Sequence, residues 1–531
     1  MYRGYDSQPG PIPKEDYAMK LETGIRRISW KPVGTLAAAL AFAVGMLASG
    51  SAWAASKDRV VVYNAGSIDS LHPYNHSLGP AYSIWEHIME PLVQVDEERG
   101  AYVPKLAESW ELKGKEWVFK LRKGIKFHDG TPLTAHDVEF SFNRIKTDKK
   151  SLQRRQLKEL VEMRVVDDHT IVLVTDKPNV VFLDKLKTRF VMSKAAAAKY
   201  GKDVDKHPIG TGPYKFKSFK RDGDLVLERN DAYWGSPKPQ IKTLVWRKVT
   251  EEAARVAALE AGQADVINAV PAHEAERLKN NPRISIKSVP GGRIYFLALN
   301  PGFKPWDNKL VRQAANYAVD AYPIIKNIFD GLGYVVEGGA ARQHIGYDPN
   351  AKRYPYDPKK SRELLAKAGY PDGVSVKMYY SAGRYPKDTE VVQAVAAQMK
   401  KGGFNIELIS QEWVVFWGRS GVNGGKLPFY HVSRGSVVDA HTHFEQYFKT
   451  GASRRIDYSN PEFDRIMALE QAETDPAKRD ELLHQLGRIL KEDSPWVPLW
   501  NLADLYGAAS NIEWKPRSDE RIRAWEMRIK E

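Results

Sequence analysis

Short β-branched runs and proline-opened helical segments alternate through all but the first stretch of this 531-residue chain. That alternation limits the possible folds more than any other feature. RVVVYNAG at 59–66 is a β-branched run closed by Asn64 and Gly66, the pattern of a buried first strand, and EWVFKLRKGIKF, TIVLVT, LVLERN and IKTLVW are further strand candidates. Asp357-Pro358, Asn460-Pro461 and Asp475-Pro476 each set a side-chain acceptor at a helix N-cap and proline at the first helical position. Gly369 and Gly402-Gly403 stand where the helices should stop. Strands and helices therefore mix without a repeat of fixed period, and the expected class is α/β with more than one lobe.

The stretch FHDGTPLTAHD at 127–137 holds two His-Asp pairs, His128-Asp129 and His136-Asp137. Asp, Gly and Pro at 129–132 supply turn chemistry, and Thr134 with Asp137 resembles a capping box ahead of VEFSFNRI, whose Val138, Phe142 and Ile145 share one helical face. A strand, a tight bend and a capped helix account for every residue except the histidines. Those are read as ordinary hydrogen-bonded or exposed imidazoles, with a metal or catalytic role as the alternative.

The first 55 residues differ in kind. Arg26, Arg27 and Lys31 precede the alanine-rich apolar run VGTLAAALAFAVGMLAS, and Ala52 and Ala54 supply the small-residue spacing of a signal peptidase site. The expectation is a cleaved export signal over 1–55, with a membrane anchor as the competing reading and Met19 as an alternative start. The chain contains no cysteine, which excludes disulfides, thiolate metal sites, a cysteine nucleophile and a lipidated N-terminal cysteine. A mature protein free in its compartment is expected. Without residues 1–55 the formal charge falls from +14 to +12, 74 Lys and Arg against 62 Asp and Glu. These charges are scattered and locally matched, so no nucleic-acid partner is expected. Fourteen tryptophans and twenty-five tyrosines can fill cores or line a ligand site. No G-x-S-x-G elbow, H-E-x-x-H pair or Walker loop occurs, so the chain is read as a binder and not an enzyme, with no cofactor.

KLAESWELKGKEWVFKLRKGIKFHDGTPLTAHDVEFSFNRI resembles the signature region of the family 5 extracellular solute-binding proteins, the receptors of ABC importers. Similar segments follow in the family's order: PIGTGPYKF at 208–216, RNDAYWGSPKPQIKTLVW at 229–246, ALEAGQADV at 258–266, LALNPGFKPWDNKLVRQAANYAVD at 297–320 and YDPKKSRELLAKAGY at 356–370. The resemblance implies a bilobal periplasmic-binding-protein fold of type II-like character with an additional inserted domain. The implied divisions are a discontinuous first lobe over 58–90, 206–290 and 496–531, an inserted peripheral domain over 91–205, and a second lobe over 291–495. The chain would cross between lobes near Val289-Pro290-Gly291-Gly292 and near Ser494-Pro495, where paired glycines and prolines suit rotation. It also implies a monomeric receptor that delivers a peptide or other small polar solute to an ABC transporter membrane permease. An exported hydrolase on a similar scaffold, with His128 or His441 as base, and a sensory or chaperone receptor are the alternatives.

The segment YHVSRGSVVDAHTHFEQYF at 430–448 resembles one whose first aspartate, in peptide-binding relatives, pairs with the ligand ammonium. Aligned on Gly435 and Asp439, that position is Ser436, which carries no charge to offset a buried ammonium. Asp439 is either a helix N-cap or a ligand contact. Arg384 and Arg434 are candidates for gripping a ligand carboxylate, or are surface arginines. Trp413 and Trp417 in QEWVVFWGR offer faces for stacking, or pack as helix core with Phe416, and Tyr82 is placed near the cleft mouth by the resemblance. His441 and His443, with Asp439 and Glu445, would share one face of an extended strand and are weak metal candidates, but on a helix they would fan apart.

Overall fold

The computed structural model describes residues 58–530 except 67, 69, 77, 78, 97–100, 222, 419, 436, 437 and 452–454. The expected export signal and Ser436 lie outside the described residues. Among the described residues, no helix is long and apolar enough to cross a membrane.

One sheet of eleven strands organises the molecule: β1 (Arg59–Asn64), β2 (Tyr214–Phe219), β3 (Asp224–Arg229), β4 (Thr243–Lys248), β5 (Val266–Asn268), β6 (Ile284–Leu299), β7 (Gly333–Val335), β8 (Val374–Tyr380), β9 (Phe404–Ser410), β10 (Phe429–Arg434) and β11 (Trp496–Ala509). Their order across the sheet is β9-β8-β10-β6-β11-β5-β1-β4-β3-β2, with β7 added on β11. The run RVVVYN becomes β1, which lies between parallel neighbours β4 and β5. A strand inside parallel neighbours is covered on both faces, which is why its apolar residues run together instead of alternating.

Strands β6 and β11, of 16 and 14 residues, are far longer than the usual five or six. They pair antiparallel along much of their length and join the two halves of the sheet. Their register shifts between Pro290 and Ile294, opposite Ala503 and Asn501. Proline lacks the ladder donor, and a Cβ on Gly291 would stand 2.7 Å from the Leu502 carbonyl oxygen. Only glycine allows that approach. Ser494, in contrast, caps the helix 476–493 in a left-handed conformation, and Pro495 stands just ahead of β11.

The segment 107–175 forms a second, four-stranded antiparallel sheet of Ala107–Lys113, Glu116–Leu121, Leu160–Asp167 and Thr170–Thr175, crossed by the helix Ala135–Thr147. Val138, Phe142 and Ile145 are fully buried on one face of that helix. The Asp137 carboxylate accepts from the Thr134 backbone N–H at 2.9 Å and from its hydroxyl at 3.0 Å. The bend before it turns on Gly130, at φ +87°, with Asp129 accepting from the Thr131 N–H. His128 is bound between backbone groups, its Nε2 3.0 Å from the Gly212 oxygen, and burial pushes its pKa down to about 4. His136 is exposed on the helix. The two histidines of this stretch thus sit apart from each other.

Candidate functional site

Strand direction points to a candidate site. In the first half of the sheet β5 runs antiparallel to β11, with β1 and β4 parallel to it, so Asn64, Lys248 and Asn268 end toward the register break. In the second half β10 runs antiparallel to β6 and pairs Arg434 with Ile294, the first residue beyond the break. Strands β8 and β9 run parallel to β10, so Tyr380 and Ser410 end on the same side. The carboxyl ends of two parallel sets therefore face each other across the β6–β11 crossing. Open α/β sheets bind ligands in the crevice at such ends, because the loops there converge while the strands hold them rigidly.

The loops after β8 and β9 bring a matched set of side chains to this crevice. Asp388, buried beneath the loop, accepts backbone N–H bonds from Gly383 (3.2 Å), Arg384 (2.9 Å) and Tyr385 (3.0 Å) and so fixes where Arg384 emerges. The Arg384 guanidinium lies over the Trp413 ring at 4.5 Å and the Tyr385 ring at 5.2 Å. After β9, Glu412 caps the short helix Trp413–Trp417 by accepting from the Val414 N–H at 2.8 Å. Four residues apart on one helical face, Trp413 and Trp417 stack with centroids 5.3 Å apart and planes 12° from parallel. Phe416 turns inward and is fully buried. Spacing of three and four thus serves both core and surface within one turn.

Arg455 closes the far end, 5.0 Å over Trp417 and 5.1 Å over Tyr447. Its Nε donates to Asn423 and its NH1 to Gln446. At the end of β10, the Arg434 Nε is buried and has no hydrogen-bond partner among the described residues. Burial, together with the nearby charges of Arg455 and Arg293, pulls its pKa below the ordinary arginine range, against Tyr447 and Asp184. Arg293 follows Gly291-Gly292 directly, bonds the Ser433 hydroxyl at 3.1 Å, and lies 3.9 Å from where a Cβ on Gly435 would be. The sequence reading missed Arg293, Arg455, Tyr385 and Asp388. Adjacency to the glycine pair was a usable signal for Arg293, whereas Arg455 is brought in only by the tertiary fold.

Other candidates lie elsewhere. Asp439 is fully buried and caps the helix Ala440–Tyr447, accepting from the His441 N–H at 3.0 Å and from both Arg479 terminal nitrogens at 2.8 and 3.0 Å. Burial would raise its carboxyl, but Arg479 outweighs this and holds it below its usual value. Arg479 also bonds Glu470 at 2.9 Å, and Glu470 bonds His441. Burial opposes the charge on His441, but Glu470 and Glu445 raise its pKa to about 9. His443, on the same helix, points instead into rings of Phe296 and Trp496, at 5.5 and 5.0 Å. The helix therefore fans the two imidazoles apart, and no group of three metal-ligating side chains forms among the described residues. Tyr82 stacks edge-on with His76 at 4.7 Å and packs on the core of the first half, away from the arginines.

The family model for bacterial extracellular solute-binding proteins, family 5 Middle, matches residues 101–454. The chain belongs to this family of solute-binding proteins. Among family 5 relatives, the glutathione-binding protein GsiB of Pectobacterium atrosepticum is 28% identical over 459 residues, 84% of this chain and 88% of its own. HbpA2 of Haemophilus parasuis superposes with a TM-score of 0.82 at 23% identity, over 89% of this chain and 100% of its own. DppA of Helicobacter pylori, solved with the peptide STSA, gives 0.70 at 25% identity over 89% and 98%. The chain accordingly has the role of a family 5 solute-binding receptor and a mixed α/β fold of the periplasmic-binding-protein type.

Proposed function

We propose that this receptor captures a short peptide or peptide-like solute bearing a carboxylate, closes the two sheet halves around it, and presents the closed form to an ABC transporter permease in the periplasm. It acts as a monomer after loss of its export signal, and it releases the solute chemically unchanged. The observation that carries this reading is Arg384, held over Trp413 at 4.5 Å at the strand carboxyl ends, without a carboxylate partner among the described residues. A guanidinium so placed can grip a carboxylate through two parallel bonds, and the indole beneath it keeps the fork oriented. The relatives that bind glutathione or a four-residue peptide support a cargo of this size. The two long strands supply the hinge, with Gly291 at the register shift.

Mass spectrometry of the solute released on denaturing protein purified from its own periplasm tests the proposal. Recovery of an intact carboxylated compound in stoichiometric amount is expected. A chemically altered product would point to turnover and contradict it.

A further inference from the structure

Apart from the β6–β11 crossing, the two halves of the molecule meet a second time. Val180, Val181, Phe182 and Leu183 pack into the core of the first half, while Phe463, Ile466 and Met467 set the helix Pro461–Ala472 into the core of the second. Between them, the carbonyl of buried Gln471 accepts from the Val180 N–H at 2.7 Å, and its side-chain oxygen accepts from Lys177 Nζ at 3.1 Å. That carbonyl stands in the last turn of its helix, where no intrahelical donor remains, so the other half supplies one. Tyr102 packs on both cores and places its hydroxyl 3.2 Å from Asp184 on the first side and 3.3 Å from Asp439 on the second. Asp439 caps the helix that follows β10, whose carboxyl end faces the crevice, so this meeting lies on the crevice side of the crossing. The acceptors are held firmly. Gln471 Nε2 lies 3.2 Å from His441 Nε2, and Arg479 grips Asp439 through two bonds.

We infer that Lys177, Val180 and Tyr102 form a latch on Gln471 and Asp439 that holds the closed receptor, so that affinity is set by this contact as well as by the residues that touch the solute. The inference rests on the closure reading above and deepens it. Turning the second half about β6 and β11 draws the helix 461–472 away from residues 177–180, and water then takes up the freed donors and acceptors. Because water replaces them, each bond shifts an equilibrium by only a few-fold to about tenfold. Three such bonds bias the receptor toward closure without locking it. Bonds made only in the closed form distinguish the two states, and they raise the affinity for any solute that closure encloses.

The chain has no cysteine, so Lys202→Cys and Lys478→Cys, both at exposed positions, place one spin label on each half. Pulsed electron paramagnetic resonance on protein stripped by denaturation and refolding, then titrated with the low-molecular-weight fraction it released, follows closure as a shift from long to short distances. Lys177→Met and Gln471→Ala should each move the midpoint to about threefold or more of the fraction, the effect of losing one hydrogen bond. Both variants together should do no more than Gln471→Ala alone, since they break the same bond. The end-point distances should stay those of the parent. Midpoints equal to the parent's overturn the latch and leave closure in place. Absence of any distance change in the parent overturns closure, and the latch with it. Lys177 is exposed, so Lys177→Met should melt with the parent when stripped; if Gln471→Ala melts well below it, Gln471 also supports the fold and the midpoint of Lys177→Met decides.

Discussion

At the residue scale, the molecule separates charges that hold the fold from charges that face the crevice. Asp439, Arg479, Glu470 and His441 satisfy each other in a buried chain of bonds. Removing one partner from such a set leaves an uncompensated buried charge, which typically costs about 3–5 kcal/mol. Arg479→Leu should therefore lower unfolding stability by roughly that amount in urea titration, and a loss below about 1 kcal/mol would show that the chain relaxes to water. The histidines give stability a pH dependence with two signs. His441, raised to about 9, binds a proton in the folded state that the unfolded chain releases above about 6.5, so its contribution is full below 6.5 and lost as pH rises through 9. This term is on the order of 3 kcal/mol. His87, His128, His344 and His431 are held neutral by burial, with pKa values lowered to about 4, so the unfolded chain takes up protons first and stability falls as pH drops from 6.5 toward 4. Thermal melts across pH 4–10 should peak near neutrality. A His441→Gln variant that kept the alkaline decline unchanged would remove His441 as its cause.

At the element scale, the proposed hinge is the β6–β11 crossing. Ala at 291 would press its Cβ to 2.7 Å from a backbone oxygen, a contact that cannot relax by rotating a side chain. Gly291→Ala should cost about 1–3 kcal/mol of stability and weaken solute binding, read by denaturation and by calorimetry, whereas an unchanged affinity would move the hinge elsewhere. Asp388→Ala should loosen the loop that presents Arg384 and lower affinity without removing a ligand contact. The elements themselves were largely legible from local chemistry. Asp357, Asn460 and Asp475 each cap the helix that their following proline opens, and Gly403 ends another at φ +95°. FHDGTPLTAHD was readable as a bend and a capped helix because those signals lie within four residues. The crevice was legible only in part: Arg384, Trp413 and Trp417 meet in space, but Arg455 lies nearly forty residues downstream and reaches Trp417 only through the fold. His441 and His443 could be read as one metal-binding face only if the strand continued, and the Asp439 cap turns that segment into a helix.

At the scale of the whole molecule, the peripheral four-stranded sheet and the first half of the main sheet share one buried core, and a carboxylate at the join ties several polar groups together. Buried Glu90 receives the Thr211 hydroxyl at 2.8 Å, the Tyr233 hydroxyl at 2.7 Å and the Trp234 ring N–H at 2.7 Å, and pairs with Lys105 at 2.9 Å. In the proposed closure the second half turns about β6 and β11. A solute that binds only the folded receptor should add about 2.7 kcal/mol of stability at a hundred times its Kd, visible as a raised melting temperature. Closure itself is the central claim, and small-angle X-ray scattering measures it most directly. Protein stripped of solute by denaturation and refolding should have a larger radius of gyration than the same protein resaturated with what it released; identical scattering from the two samples would contradict capture by closure.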